Sequence, residues 1–162
     1  WLIINLGTAI LASMVITIFD ATIEQMVALA VLMPIVASMG GNAGTQTMTV
    51  TVRAIATREL TSTNVKRIVF RECSIALVNG VIIAALIGGL SWLWFENITL
   101  GAVMGIAMIA NMVMAGLAGI LIPITLDKID VDPALASSIF VTTVTDVIGF
   151  FAFLGLASLV LM

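Results

Sequence analysis

Long stretches almost free of charge constrain this chain more than any other feature. The charged residues fall into clusters, and five apolar runs separate them: Trp1 to Phe19, Met26 to Val52, Cys73 to Phe95, Ile98 to Leu126 and Ala134 to Met162. About 18 or more apolar residues in a helix reach across the roughly 30 Å hydrocarbon core of a bilayer. Only 9% of the 162 residues are charged and 62% are hydrophobic. A water-soluble domain carries about 25% charged residues to cover its surface. The expected fold is therefore an all-α membrane protein with five transmembrane helices, in which residues 1–162 form a single domain. The chain opens at Trp1, already inside an apolar run, and no basic segment precedes it. It reads as a piece of a longer protein without a cleavable signal.

Charge placement orients the bundle. Arg53, Arg58, Lys66, Arg67 and Arg71 follow the second run, and Lys128 follows the fourth. Lysine and arginine concentrate on cytoplasmic loops. With five spans both segments lie on one side, so the basic loop 53–71 and the N-terminus are expected in the cytoplasm and the C-terminus outside. The turns at 20–25 and 96–97 hold only acids and would face outward. Trp92 and Trp94 would then mark the outer interface, where aromatic belts form.

Several chemistries drop out. There is no histidine, and Cys73 is the one cysteine, which removes zinc sites of the Cys/His kind, Ser-His-Asp triads, Cys-His dyads and intrachain disulfides. A net charge of −3 gives no nucleic-acid signature. An intramembrane aspartyl protease needs two facing aspartates at depth, and only Asp146 is found there. No enzyme is expected.

Asp146 stands near the middle of the fifth run, where a charge is costly and usually faces water or a partner. No basic residue lies within any run to pair with it. Thr142, Thr145 and Gly149 share its helical face, with Ser138 a turn further back, making one narrow polar stripe. A cation path, a proton relay and a buried structural acid all accommodate such a residue. The second run carries a second feature, Met39-Gly40-Gly41-Asn42-Ala43-Gly44-Thr45-Gln46-Thr47-Met48-Thr49. Its amides and hydroxyls supply oxygen at membrane depth, and its glycines suggest irregular backbone lining a cavity. The plainer alternative is a kinked packing helix.

Pro34-Ile-Val-Ala37-Ser38 and Pro133-Ala-Leu-Ala136-Ser137 share a short pattern. Paired segments running in opposite directions around a midplane site occur in inverted-repeat transporters. Small residues spaced by four, at Gly40/Gly44, Ala85/Gly89 and Gly101/Gly105, allow close helix approach within the chain or between copies. The ten methionines are expected to fill gaps in the bundle. All candidate donors are hard oxygens, suited to Mg²⁺, Ca²⁺ or Mn²⁺. The carboxylates are too few for a dehydrated Ca²⁺ cage, whereas Mg²⁺ keeps most of its waters.

The stretch Pro34-Ile-Val-Ala-Ser-Met-Gly-Gly-Asn-Ala-Gly-Thr-Gln46, continuing to Arg53-Ala-Ile-Ala-Thr-Arg58, resembles the second-span signature of MgtE-type magnesium transporters. Asp132-Pro-Ala-Leu-Ala-Ser-Ser-Ile-Phe-Val-Thr-Thr-Val-Thr-Asp146 is similar to that family's last span. The resemblance covers essentially the whole chain. It implies a homodimer in the inner (plasma) membrane with a Mg²⁺ pore at the dimer interface, lined by the second and fifth spans. The pore carboxylate falls on Asp146, a backbone carbonyl of the path falls near Thr142, and Asn42 and Gln46 line the same route. Asp132 matches an acid near the cytoplasmic mouth, and Glu72 is expected to act likewise. Mn²⁺ and Co²⁺ are further candidate ions. Family members usually add an acidic helical domain, paired CBS domains and a connecting gating helix, none of which lies within these residues. Channel-like Mg²⁺ passage is the leading reading; coupled exchange and a non-transporting membrane subunit are the alternatives.

Overall fold

A computed structural model describes residues 1–60 and 64–161. These residues form six helices: α1 Leu2–Ile18, α2 Asp20–Gln25, α3 Ala28–Ala56, α4 Val65–Phe95, α5 Ile98–Lys128 and α6 Pro133–Val160. The helices α3 to α6 are long and apolar enough to cross a membrane. The first expected span is shorter, a 17-residue helix of about 25 Å at 1.5 Å per residue. Phe19 then breaks the helix, and the chain resumes as the short acidic α2. Four helices of spanning length plus one shorter apolar helix thus stand where five spans were expected.

Helix ends correct the expected loop as well. Residues 53–71 were read as a loop, yet Arg53 belongs to α3 and Lys66, Arg67 and Arg71 belong to α4. A 31-residue α4 is about 46 Å long at 1.5 Å per residue, longer than the roughly 30 Å hydrocarbon core, and its basic residues lie in its first turns. Residues 61–63 of that segment, and Met162 at the end of the fifth run, lie outside the described residues. Asn97 caps α5 by accepting from the Leu100 amide at 3.0 Å, and Asp132 caps α6 by accepting from Ala134 at 2.8 Å. Pro133 follows at the first helical position, where a missing N–H carries no penalty.

The centre of the bundle is α5, which packs against α3, α4 and α6. Met104, Ala107, Met108, Ala115 and Ile120 on it are fully buried. Met33 and Met112 join the same core, so at least four methionines do fill the interior. By contrast α4 shows Leu77, Val78, Val81, Leu86 and Leu93 on its surface. That apolar wall suits contact with lipid. Glycine sets the closest approach, for a Cβ on Gly101 would stand 2.6 Å from the Gly88 carbonyl oxygen of α4. The pairs Gly40/Gly44 and Gly101/Gly105 pack within the chain, whereas nothing lies within 4 Å of a Cβ at Gly89.

Candidate cation path

The polar centre of the second run keeps a regular backbone. Through Gly40, Gly41 and Gly44 the helix is unbroken, and no glycine among the described residues has positive φ. The expectation of irregular backbone is therefore wrong. The threonine hydroxyls find their partners inside the same helix. Thr45 Oγ1 donates to the Gly41 carbonyl at 2.7 Å, Thr49 to Thr45 at 2.8 Å and Thr51 to Thr47 at 2.9 Å. Each of these hydroxyls is occupied within its own helix.

The glycines serve packing. A Cβ at Gly40 would overlap the Asn111 carboxamide, and one at Gly149 would come within 2.6 Å of Asn111 Nδ2. Asn111 is fully buried, and its Nδ2 donates to the Val36 carbonyl at 2.9 Å, while its Oδ1 has no partner among the described residues. Gly44 brings α3 against Val141 of α6 and Ala115 of α5. These contacts fix which face of α3 is hidden. Ser38, Asn42, Gln46 and Thr49 are left on the exposed side, where Asn42 Nδ2 reaches Ser38 Oγ at 3.5 Å.

α3 and α6 run antiparallel. A Cβ at Gly41 would lie 3.8 Å from Thr142 Cγ2, and one at Gly149 would lie 3.0 Å from Val36 Cγ1. Asp146, between Thr142 and Gly149, therefore stands level with the segment between Val36 and Gly41, one turn from Asn42. It is half-buried, and among the described residues no hydrogen bond or ion pair engages its carboxylate. The repeated Pro-x-x-Ala-Ser pattern is not reproduced in place, because Pro34 lies inside α3 and Pro133 opens α6.

The other candidate residues separate into distinct surroundings. Thr145 is fully buried, and its Oγ1 donates to the Thr142 carbonyl at 3.0 Å. Thr142 Oγ1 turns back to the Ser138 carbonyl at 2.9 Å, and Thr142 borders a groove shared with Trp1, Asn5 and Ser138. Asn42 and Gln46 face a cavity of about 360 Å³ between α3 and α4, at whose far end lies Glu72. Arg71 Nη2 donates to Glu72 Oε1 at 2.8 Å, the one ion pair among the described residues. Asp132 is exposed and spends one carboxylate oxygen on the α6 cap. Arg58 and Lys66 border one cavity with Lys128, so both basic segments meet at one end of the bundle. Two carboxamides escaped the sequence reading, Asn79 on α4 and Asn111 on α5. A lone amide inside an apolar run was the available signal.

Fold and site define a helical membrane protein with four helices long and apolar enough to span and a polar ridge beside a carboxylate that has no partner among the described residues. The MgtE family profile, described as a divalent cation transporter, matches residues 33–156. "Magnesium transporter MgtE" of Bacillus subtilis is 34% identical over 158 residues, covering 98% of this chain and 35% of that protein. The proteins of that name from Enterococcus faecalis and Thermus thermophilus are each 33% identical, covering 98% and 99% of this chain and 35% and 36% of their own lengths. The chain belongs to the MgtE family, and it spans about a third of the length of these relatives.

Proposed function

We propose that this chain is the single transmembrane pore domain of a divalent cation transporter and passes Mg²⁺ through a channel-like homodimer in the plasma membrane. The observation that carries the reading is the pairing of surfaces on α3 and α6. The Ser38–Asn42–Gln46 ridge is exposed at the level of an unpartnered Asp146. Hydrocarbon is a poor solvent for amides and worse for a carboxylate, so a water-filled path accounts for both. Inside one chain α3 and α6 pack too closely to leave a channel, since Gly41 meets Thr142 and Gly44 meets Val141. A twofold partner supplies the opposite wall and a second Asp146.

The chemistry then follows from charge. Two carboxylates without basic partners repel each other in a medium of low dielectric. A hydrated divalent cation between them relieves that repulsion more than a monovalent one does. The Thr142 carbonyl, held by Thr145, and the amides of Asn42 and Gln46 accept hydrogen bonds from the ion's waters, which Mg²⁺ releases reluctantly. Asp132 and Glu72 draw cations toward the basic end. Mn²⁺ and Co²⁺ present similar hydrated shells and are expected to compete. Mg²⁺-indicator flux into liposomes containing the purified protein tests the reading. Saturable uptake that needs no proton gradient is expected. Absence of uptake would leave a non-transporting subunit, and uptake that follows the proton gradient would make it an exchanger.

A further inference from the structure

We infer that Asn79 of α4 is part of the wall of the cation path, so that three helices of each chain, rather than two, face the ion. This rests on the proposed transport reading and adds a residue to it. The two helices α3 and α4 scarcely touch, and the cavity of about 360 Å³ between them sets a few polar side chains among mostly apolar ones. Asn42, Gln46 and Thr47 line it from α3, and Glu72 and Asn79 line it from α4. The α4 residues are two turns apart, hence on one face of the helix.

The level of Asn79 follows from the ends of the cavity. It runs from Met39 to Val50 on α3 and from Glu72 to Ile83 on α4. Val50 and Glu72 also border a second cavity together with Arg53 and Arg71. The Glu72 end therefore lies beside Val50, and Asn79, about 10 Å further along at 1.5 Å per residue, lies beside Asn42 and Gln46. Asn79 is exposed, and among the described residues nothing satisfies its carboxamide. An amide facing lipid has no partner, whereas one facing a hydrated cation accepts from the ion's waters. The α3 ridge is thus flanked by α6 with Asp146 on one side and by α4 with Asn79 on the other.

Substituted-cysteine labelling in the full-length protein, with Cys73→Ser as background, tests this. Asn79→Cys is expected to react with a charged, water-soluble thiol reagent and to lose Mg²⁺ flux on reaction. Mg²⁺ in the bath should slow that reaction. Val78→Cys, exposed on the same turn but outside the cavity lining, should react about tenfold more slowly, equivalent to roughly 1.4 kcal/mol in barrier. Equal rates at 78 and 79, or modification at 79 that leaves flux intact, would overturn the inference while wild-type flux upholds the transport reading. No flux in wild type would defeat that reading instead, with the labelling contrast still deciding whether Asn79 faces water. If Asn79→Cys fails to insert, Asn79→Asp decides. A lower Mg²⁺ concentration at half-maximal flux supports the inference, and an unchanged one overturns it.

Discussion

The carboxamide of Asn111 donates a 2.9 Å hydrogen bond from α5 to the Val36 carbonyl on α3, wedged where Gly40 and Gly149 leave room for it. Three helices meet at this side chain, one turn from the level of Asp146. The candidate path is therefore held from behind by an amide that does not line it.

Adding a methyl group at Gly149 should disturb that wedge. A Cβ there would sit 2.6 Å from Asn111 Nδ2 and 2.9 Å from Cγ, and overpacking of this kind costs about 1–3 kcal/mol. Gly149→Ala should lower the thermal midpoint in detergent, and Gly89→Ala, with open space around it, should not. Combining Gly149→Ala with Asn111→Ala should recover part of the loss, because the two positions are in contact. Additive losses would mean that Asn111 is not the obstruction.

Asp132 carries two separable roles. As the cap of α6 it accepts from Ala134, and removal of such a cap costs about 1 kcal/mol. Asp132→Ala should lose that stability, whereas Asp132→Ser keeps a capping oxygen and should lie close to wild type. If the charge also draws cations to the mouth, both variants should need more Mg²⁺ for half-maximal flux. Normal flux in a stable Asp132→Ser variant would reduce the residue to a cap.

The end of the bundle holding Arg53, Arg58, Lys66 and Lys128 is expected in the cytoplasm. Thr57 is exposed at the end of α3. In a Cys73→Ser background, Thr57→Cys should resist an impermeant thiol reagent applied to intact cells and react once the cells are opened. Prompt labelling from outside would invert the orientation.

What was legible in the sequence follows from what the bilayer enforces. Spans α3 to α6 could be read directly because hydrocarbon tolerates neither charges nor unpaired backbone. Asp146 stood out for the same reason. The end of the first run at Phe19 was legible from Asp20, whereas the short helix α2 that follows was not, because six residues carry too little pattern. The α4 boundary was missed because Lys66, Arg67 and Arg71 are good helix formers, and a helix continues past the membrane wherever its residues allow. Gly40, Gly41 and Gly44 admit either a broken backbone or close packing. The choice depended on Asn111, some 70 residues away in sequence, and no local pattern reveals it. For the same reason Asn42, Gln46 and Asn79 could not be placed around one cavity without knowing how α3 and α4 diverge.

Two copies of Asp146 facing one path are the centre of this account, and Asp146→Asn tests it most directly. The substitution keeps size and one oxygen while removing both charges. Purified wild type and variant should both run as dimers by mass measurement, with similar thermal midpoints. In liposomes the variant should lose most of its preference for Mg²⁺ over Na⁺. A folded, dimeric Asp146→Asn protein that keeps native Mg²⁺ flux and selectivity would contradict the account, because the ion would then be selected elsewhere.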